Sequence, residues 1–232
     1  MKEENLDEEG PLLAEREEPG RLVNSNISFT LEDGKLLIVV GRVGSGKSSL
    51  LASLLGETHL RTGSCSLRGR VAYVEQEPCI FSDSVRNNIL FGLPLDEERL
   101  KEVVRVCQLE EDLTQLTNGL DTEIGERGVN IPGGQKARIS LARACYSDAD
   151  IYLLDDPLSA VDPHVAKKLF SVCIRGLLRE KAVMIVTHQI AFLDRVDEIL
   201  VLEEGRQVFK GSCNEFQVFK EVGGRLASIR RK

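Results

Sequence analysis

Apolar positions fall into two rhythms along the chain. Unbroken apolar runs at Leu36-Leu37-Ile38-Val39-Val40, Ile151-Tyr152-Leu153-Leu154 and Ala182-Val183-Met184-Ile185-Val186 read as strands buried on both faces. Between them apolar residues recur at helical spacing: from Leu50 to Leu55, through most of Ser84 to about Ser147, including Asp96 to Leu109 and the segment after Gly134, and from Pro163 onward. Strands that alternate with helices predict a mainly parallel sheet. Asn26 to Leu31 alternates polar with apolar, which predicts a half-buried strand turning through Glu32-Asp33-Gly34 into the first run, and Gly63 to Leu67 with Val71 to Val74 forms a second β-rich piece. Near the end, Glu198 to Leu202 and Gln207 to Lys210 flank Glu204-Gly205 as a hairpin, followed by a polar helix.

The polar residues that end these runs carry the chemistry. Val40 leads to Gly41, Val74 to Glu75-Gln76, Leu154 to Asp155-Asp156, and Val186 to Thr187-His188. Ligands of open parallel sheets sit beyond the carboxyl ends of the strands, so these groups are expected to converge on one pocket. The first carries Gly41-Arg42-Val43-Gly44-Ser45-Gly46-Lys47-Ser48-Ser49, a Gly-rich loop between a buried strand and an apolar helix, as a phosphate-binding loop requires. Its glycines let successive N–H groups face one anion, and the positive end of the helix dipole adds to the attraction. Lys47 is expected to reach the β and γ phosphates of a nucleotide and Ser48 to hold Mg²⁺. Asp155 is placed as the acidic Mg²⁺ partner of that loop, Asp156 to polarise an attacking water, and His188 to hydrogen-bond a γ-phosphate.

Composition narrows the partners. At 232 residues the chain suits one nucleotide-binding unit, and its net charge of -7 is uneven. Residues 1–20 hold eight acidic groups against Lys2 and Arg16, leaving a body without the basic bias of nucleic-acid binders. With Gly10-Pro11, Pro19-Gly20 and no aromatics, residues 1–21 read as an acidic flexible leader or linker ahead of a domain spanning 22–232. There is no apolar run long enough to cross a membrane, and charge rather than an apolar signal core follows Met1. Six cysteines are scattered without C-x-x-C pairs or histidines at metal spacing, and read as reduced thiols.

One further segment, Gly125 to Ala144, opens a helix at Gly133-Gly134, whose exposed N–H groups make a second anion site suited to use in trans. Ala137, Leu141, Ala144 and Cys145 form one stripe of that helix, and Lys136, Ser140 and Arg143 a polar one. Gly-Gly-Gln followed by Lys-Ala-Arg-Ile-Ser-Leu-Ala-Arg-Ala, then Leu-Leu-Asp-Asp-Pro-Leu-Ser-Ala-Val-Asp and Val-Thr-His, resembles the ATP-binding cassette of ABC transporters. Within that family it is similar to the first cassette of subfamily C, the multidrug-resistance-associated and cystic fibrosis channel type. The resemblance covers about Ile27 to Phe219.

It implies an α/β fold: a P-loop NTPase core with a mainly parallel sheet, an antiparallel β subdomain, and a helical signature subdomain at about 84–147. It also implies that Gly41 to Ser49 are Walker A and that Gln76 is the Q-loop glutamine touching Mg²⁺ and water. Ile131-Pro132-Gly133-Gly134-Gln135 is then the signature, Asp155 the Walker B aspartate, Ser159 to Asp162 the D-loop and His188 the switch histidine. Phe91 takes the aromatic position that docks on transmembrane coupling helices. The implied partners are a second nucleotide-binding domain, closing head to tail around two ATPs, and the transmembrane domains of a transporter at the cytosolic face of a membrane.

Three positions depart from the family pattern. Asp156 stands where the catalytic glutamate is usual, so slow hydrolysis is expected; losing a positioned base costs about 10² to 10⁴ in rate. Pro132 replaces the serine of the signature, removing a hydroxyl and an N–H. No aromatic precedes Phe29 to stack on adenine. These departures sustain a rival reading, a non-catalytic module that folds and regulates without powering transport. A DNA-repair ATPase would need a coiled-coil insertion between loop and signature, and a translation ATPase would carry two cassettes in one chain.

Overall fold

The computed structural model describes residues 23–126, 128–189 and 191–229; the acidic segment 1–21 lies outside them. Six strands form the main sheet: β1 (Leu36–Val40), β2 (Val71–Val74), β5 (Ile151–Asp155), β6 (Ala182–Thr187), β7 (Glu198–Glu203) and β8 (Arg206–Gly211), in the order β2-β5-β6-β1-β7-β8. All neighbours pair in parallel except β7 with β8, the hairpin expected about Glu204-Gly205. A two-stranded antiparallel sheet joins β3 (Asp83–Ser84) to β4 (Glu123–Ile124). The α/β class with a parallel core is therefore as the apolar runs predict.

Each central strand is buried on both faces because alternate side chains feed two cores. Leu36, Ile38, Val40, Tyr152 and Leu154 point into the larger one, with α2 (Val85–Leu90), α3 (Glu97–Val106), α5 (Gly133–Tyr146) and α6 (Pro163–Lys168) over it. Leu37, Val39, Leu153 and Met184 enter the smaller one beneath α1 (Lys47–Leu54). A short α4 (Glu110–Gln115) and a C-terminal α7 (Cys213–Ile229) complete the helices, and α6 runs on as a π-helical stretch, Leu169–Leu177. Helix starts follow local chemistry: Ser84 caps α2 through Asn87 N–H at 3.0 Å, and Asp96 caps α3 through Arg99 N–H at 3.1 Å.

Two strand expectations do not hold. Residues 26–31 form no ladder, although Ile27, Phe29 and Leu31 still pack against the smaller core in the expected alternation. Residues 63–67 run exposed and unpaired. Alternation specifies a face, but a strand also needs a neighbour, and neither segment meets one; a single bridge, Ser25 to Arg206, lies just ahead of the first. The antiparallel pairing lies instead in β3–β4 and β7–β8.

The two-sided reading of α5 also needs correction. Ser140 is buried, Arg143 is wedged beneath aromatic rings, and Ala137, Ile139, Leu141, Ala142, Ala144, Cys145 and Tyr146 are all buried. α2 packs over the polar stripe, where Arg143 donates to the Asn88 carbonyl.

Candidate functional site

Parallel pairing brings the four polar strand ends to one edge of the sheet. The register sets Val40 beside Thr187, Asp155 beside Val186 and Val74 beside Leu154, so Gly41, Glu75, Asp156 and His188 all emerge at the same level. Nothing in a single motif fixes this; it follows from every strand running the same way.

The Gly-rich loop is held from three sides. Gly44 and Gly46 take left-handed backbone with φ of 81° and 94°, and Gly41 serves close packing, since a Cβ there would lie 2.4 Å from the Leu202 carbonyl and from Ser45 Oγ. The β7–β8 turn supports the loop through Gly205 N–H to the Ser45 carbonyl at 3.0 Å. Asn24 Nδ2 donates to the Gly46 carbonyl at 3.1 Å, and Ser25 N–H to the Gly205 carbonyl at 2.8 Å. No side chain caps α1 at Gly46, so its first-turn N–H groups face outward as anion donors. Arg42 and Val43 are exposed at the loop tip, with Ser49 half-buried behind.

Lys47 lies across the loop mouth, its Nζ donating to the carbonyls of Gly41 and Arg42 at 2.9 Å each. Burial lowers its pKa, against the pull of Asp155 and Asp156. Burial raises the Asp155 pKa, with the neighbouring Asp156 charge adding to it, while the Ser48 hydroxyl and Lys47 oppose. A carboxylate that is costly to ionise, beside a serine hydroxyl and a lysine, fits a Mg²⁺ and phosphate site, because a divalent cation offsets that cost. Ser45 Oγ is buried with no hydrogen-bond partner among the described residues.

Asp156 is fully committed. Its backbone is left-handed with φ of 48°, Oδ1 accepts from Thr187 Oγ1 at 2.7 Å, and Oδ2 lies 2.8 Å from His188 Nδ1. Only 7 % of the Asp156 side chain is exposed, against 55 % for His188. Gln76 is exposed just beyond β2.

The second glycine pair opens α5 beside the segment that follows β5. Pro132 occupies the N-cap of α5, with no side-chain cap, and its carbonyl accepts from Gln135 and Lys136 N–H. Ile131 is buried and anchors the segment, leaving Pro132 and Gly133 exposed. A Cβ on Gly134 would lie 2.9 Å from the Ala160 carbonyl, so α5 meets the 159–162 segment backbone to backbone. Gln135 and Arg138 share Asp112 of α4, at 2.9 Å and 3.0 Å. Asp162 caps α6, accepting from His164 and Val165 N–H at 3.1 Å each.

Phe91 lies away from these groups, in left-handed conformation at the end of α2 and 60 % exposed. It stacks on Phe81 at 5.2 Å, and the Arg143 guanidinium sits 4.9 Å and 5.1 Å from the two rings. Arg143 also donates to the Asn88 carbonyl and side chain, and Asn88, 1 % exposed, bonds Phe81 in both directions. Sequence reasoning missed Arg143, Asn88 and Thr187 as positioning groups; Asn88, set directly before Ile89-Leu90, was the available signal for one of them.

Comparison with known proteins agrees with this geometry. A family profile described as "ABC transporter" matches residues 24–159, more than half of the chain. The chain is 52 % identical over 190 residues to human ATP-binding cassette sub-family C member 4, covering 82 % of this chain and 14 % of that protein. It is 48 % identical over 198 residues to ABC transporter C family member 9 of Arabidopsis thaliana, covering 85 % and 13 %. A multidrug resistance protein of Leishmania tarentolae is 50 % identical over 194 residues, covering 82 % and 12 %. The chain thus spans about one seventh or less of the length of these relatives.

Proposed function

The chain belongs to the ABC transporter family, as a subfamily C ATP-binding cassette, and from that premise we propose that it binds MgATP beyond the parallel strand ends and hydrolyses it slowly. Gly41 to Ser49 cradle the phosphates, Lys47 leaves its loop carbonyls for the β and γ oxygens, and Ser48, Asp155 and Gln76 hold Mg²⁺. Paired head to tail with a second cassette, whose phosphates meet Gly133 and Gly134, it couples nucleotide binding to transmembrane domains through the Phe81–Phe91 platform. Among the described residues no helix is long and apolar enough to cross a membrane, so membrane attachment in this reading comes through those partners.

The observation that carries slow hydrolysis is the engagement of both Asp156 oxygens by Thr187 and His188. A base must reach the proton it abstracts, and this carboxylate is short by one methylene relative to glutamate and already occupied. ATP bound here therefore acts as a long-lived brace between two cassettes.

Calorimetric titration with MgATP, beside Lys47→Ala and with phosphate release followed in the same samples, tests this. Binding by the wild type alone with phosphate release near background is expected. If neither protein binds at millimolar ATP, the reading fails and the loop is only an inherited shape. Pro132 favours a second reading, a cassette that folds without powering transport, because it removes the signature hydroxyl. Transport by the full-length protein after Pro132→Ser separates the two: a working exporter gains little, a dead one recovers.

A further inference from the structure

Cysteines that sequence spacing scatters are gathered by the fold. Cys107 follows α3 at its C-cap, Cys145 is the penultimate residue of α5, and Cys173 lies in the π-helical stretch after α6. Their sulfurs lie within 4.8 Å of one another, with Cys145 and Cys173 3.4 Å apart. All three are sealed from solvent, whereas Cys65 and Cys79 are exposed. One of the three is carried by a rare helical form that tends to mark functional positions.

We propose that Cys107, Cys145 and Cys173 form a buried three-sulfur site for one soft, three-coordinate ion, with trivalent arsenic as the species the local charge balance favours. Thiolates select soft ions. Structural zinc takes four ligands, and no fourth His, Cys, Asp or Glu joins this cluster among the described residues. Charge decides among the remainder. Three thiolates on a monovalent or divalent ion leave net negative charge in an apolar core, which is costly unless paired. The nearest cation, Arg99, donates to the Cys145 carbonyl at 3.1 Å, but it is shared with Asp148 at 3.6 Å. Arsenous acid and three thiols give a neutral product: three As–S bonds replace three As–O bonds, the thiol protons leave with the hydroxides as three waters, and arsenic stays trivalent. Because every sulfur is sealed, loading waits for local opening of the helices and is slow.

The test uses the 232-residue chain with Cys65, Cys79 and Cys213 changed to serine, incubated with arsenite under reducing conditions. Native mass spectrometry is expected to show one arsenic with loss of three hydrogens, and X-ray absorption three sulfur neighbours at one distance. Cys107→Ala, Cys145→Ala and Cys173→Ala, each checked for folding by circular dichroism, are each expected to weaken binding by more than the ~10–100-fold that loss of an outer-shell partner costs. Their placement in three different elements keeps the test alive if one variant fails to fold. Two sulfurs and an oxygen around arsenic, uptake only by the unfolded chain, or a Cys145–Cys173 disulfide in place of bound ion would each overturn the proposal.

Discussion

Asp155 and Asp156 are chain neighbours with opposite surroundings. Asp155 has the Ser48 hydroxyl and Lys47 beside it, yet burial still makes its ionisation costly, whereas Asp156 is saturated by Thr187 and His188. A carboxyl whose pKa folding raises contributes stability while protonated, below its unfolded value of about 3.9, and loses that contribution as pH climbs through the raised native value. At neutral pH Asp155 is thus a net cost that a bound cation offsets. Asp155→Asn is expected to raise the melting temperature of the nucleotide-free domain at pH 7 while abolishing Mg²⁺-dependent ATP affinity. In the wild type that affinity is expected to fall on acidification at a pH above 3.9; calorimetry across pH checks both. Asp156→Glu tests the other half. It lengthens the carboxylate beyond its present partners, and single-turnover ATP hydrolysis in the assembled transporter is expected to rise by about 10² or more with ATP affinity unchanged. An unchanged rate would show that the site is limited elsewhere.

Among elements, the Gly-rich loop depends on a turn more than 150 residues away in sequence. Gly205 has φ of 74°, and a Cβ there would come 1.8 Å from the Val23 carbonyl, whereas Gly44 has φ of 81° but open space around it. Both alanine substitutions incur the left-handed backbone cost of about 1–2 kcal/mol, but only Gly205→Ala also displaces backbone and strains the support of Ser45. Chemical denaturation is expected to show a clearly larger loss for Gly205→Ala, and ATP titration a weakened affinity for that variant; equal losses would mean the turn does not brace the loop. At α2, Ser84→Ala removes the side-chain acceptor for Asn87 N–H and is expected to cost about 1 kcal/mol, and because α2 ends at Phe91 the same change should loosen the aromatic platform.

At the scale of the whole molecule, one face of the sheet carries nearly all of the helices, and the platform of Phe81 and Phe91 stands outside both cores. Phe91→Ala is therefore expected to cost about 1–2 kcal/mol, from the ring stacking and the Arg143 contact alone, and to leave MgATP binding intact while lowering transport in the full-length protein. Phe170→Ala provides the contrast: it is fully buried and stacks on Phe192 at 4.4 Å, so a loss of about 3–5 kcal/mol is expected in denaturant unfolding.

The chain by itself determined the parallel core, the Gly-rich loop, the hairpin about Gly205 and which polar residues end each strand, because these rest on periodicity and on residues only a few places apart. Tertiary structure decided what those groups touch. Asp156 could be read as a base from its position, but Thr187 and His188 reach it across the pairing of β5 with β6. Arg143 reads as a solvent-facing residue of α5 until α2 packs over it and makes it the support of two aromatic rings. Residues 26–31 alternate as a strand should, yet form none, since a ladder needs a partner that no local pattern supplies. Three cysteines spread over 67 residues meet in the core because the helices that carry them pack on the same face of one sheet.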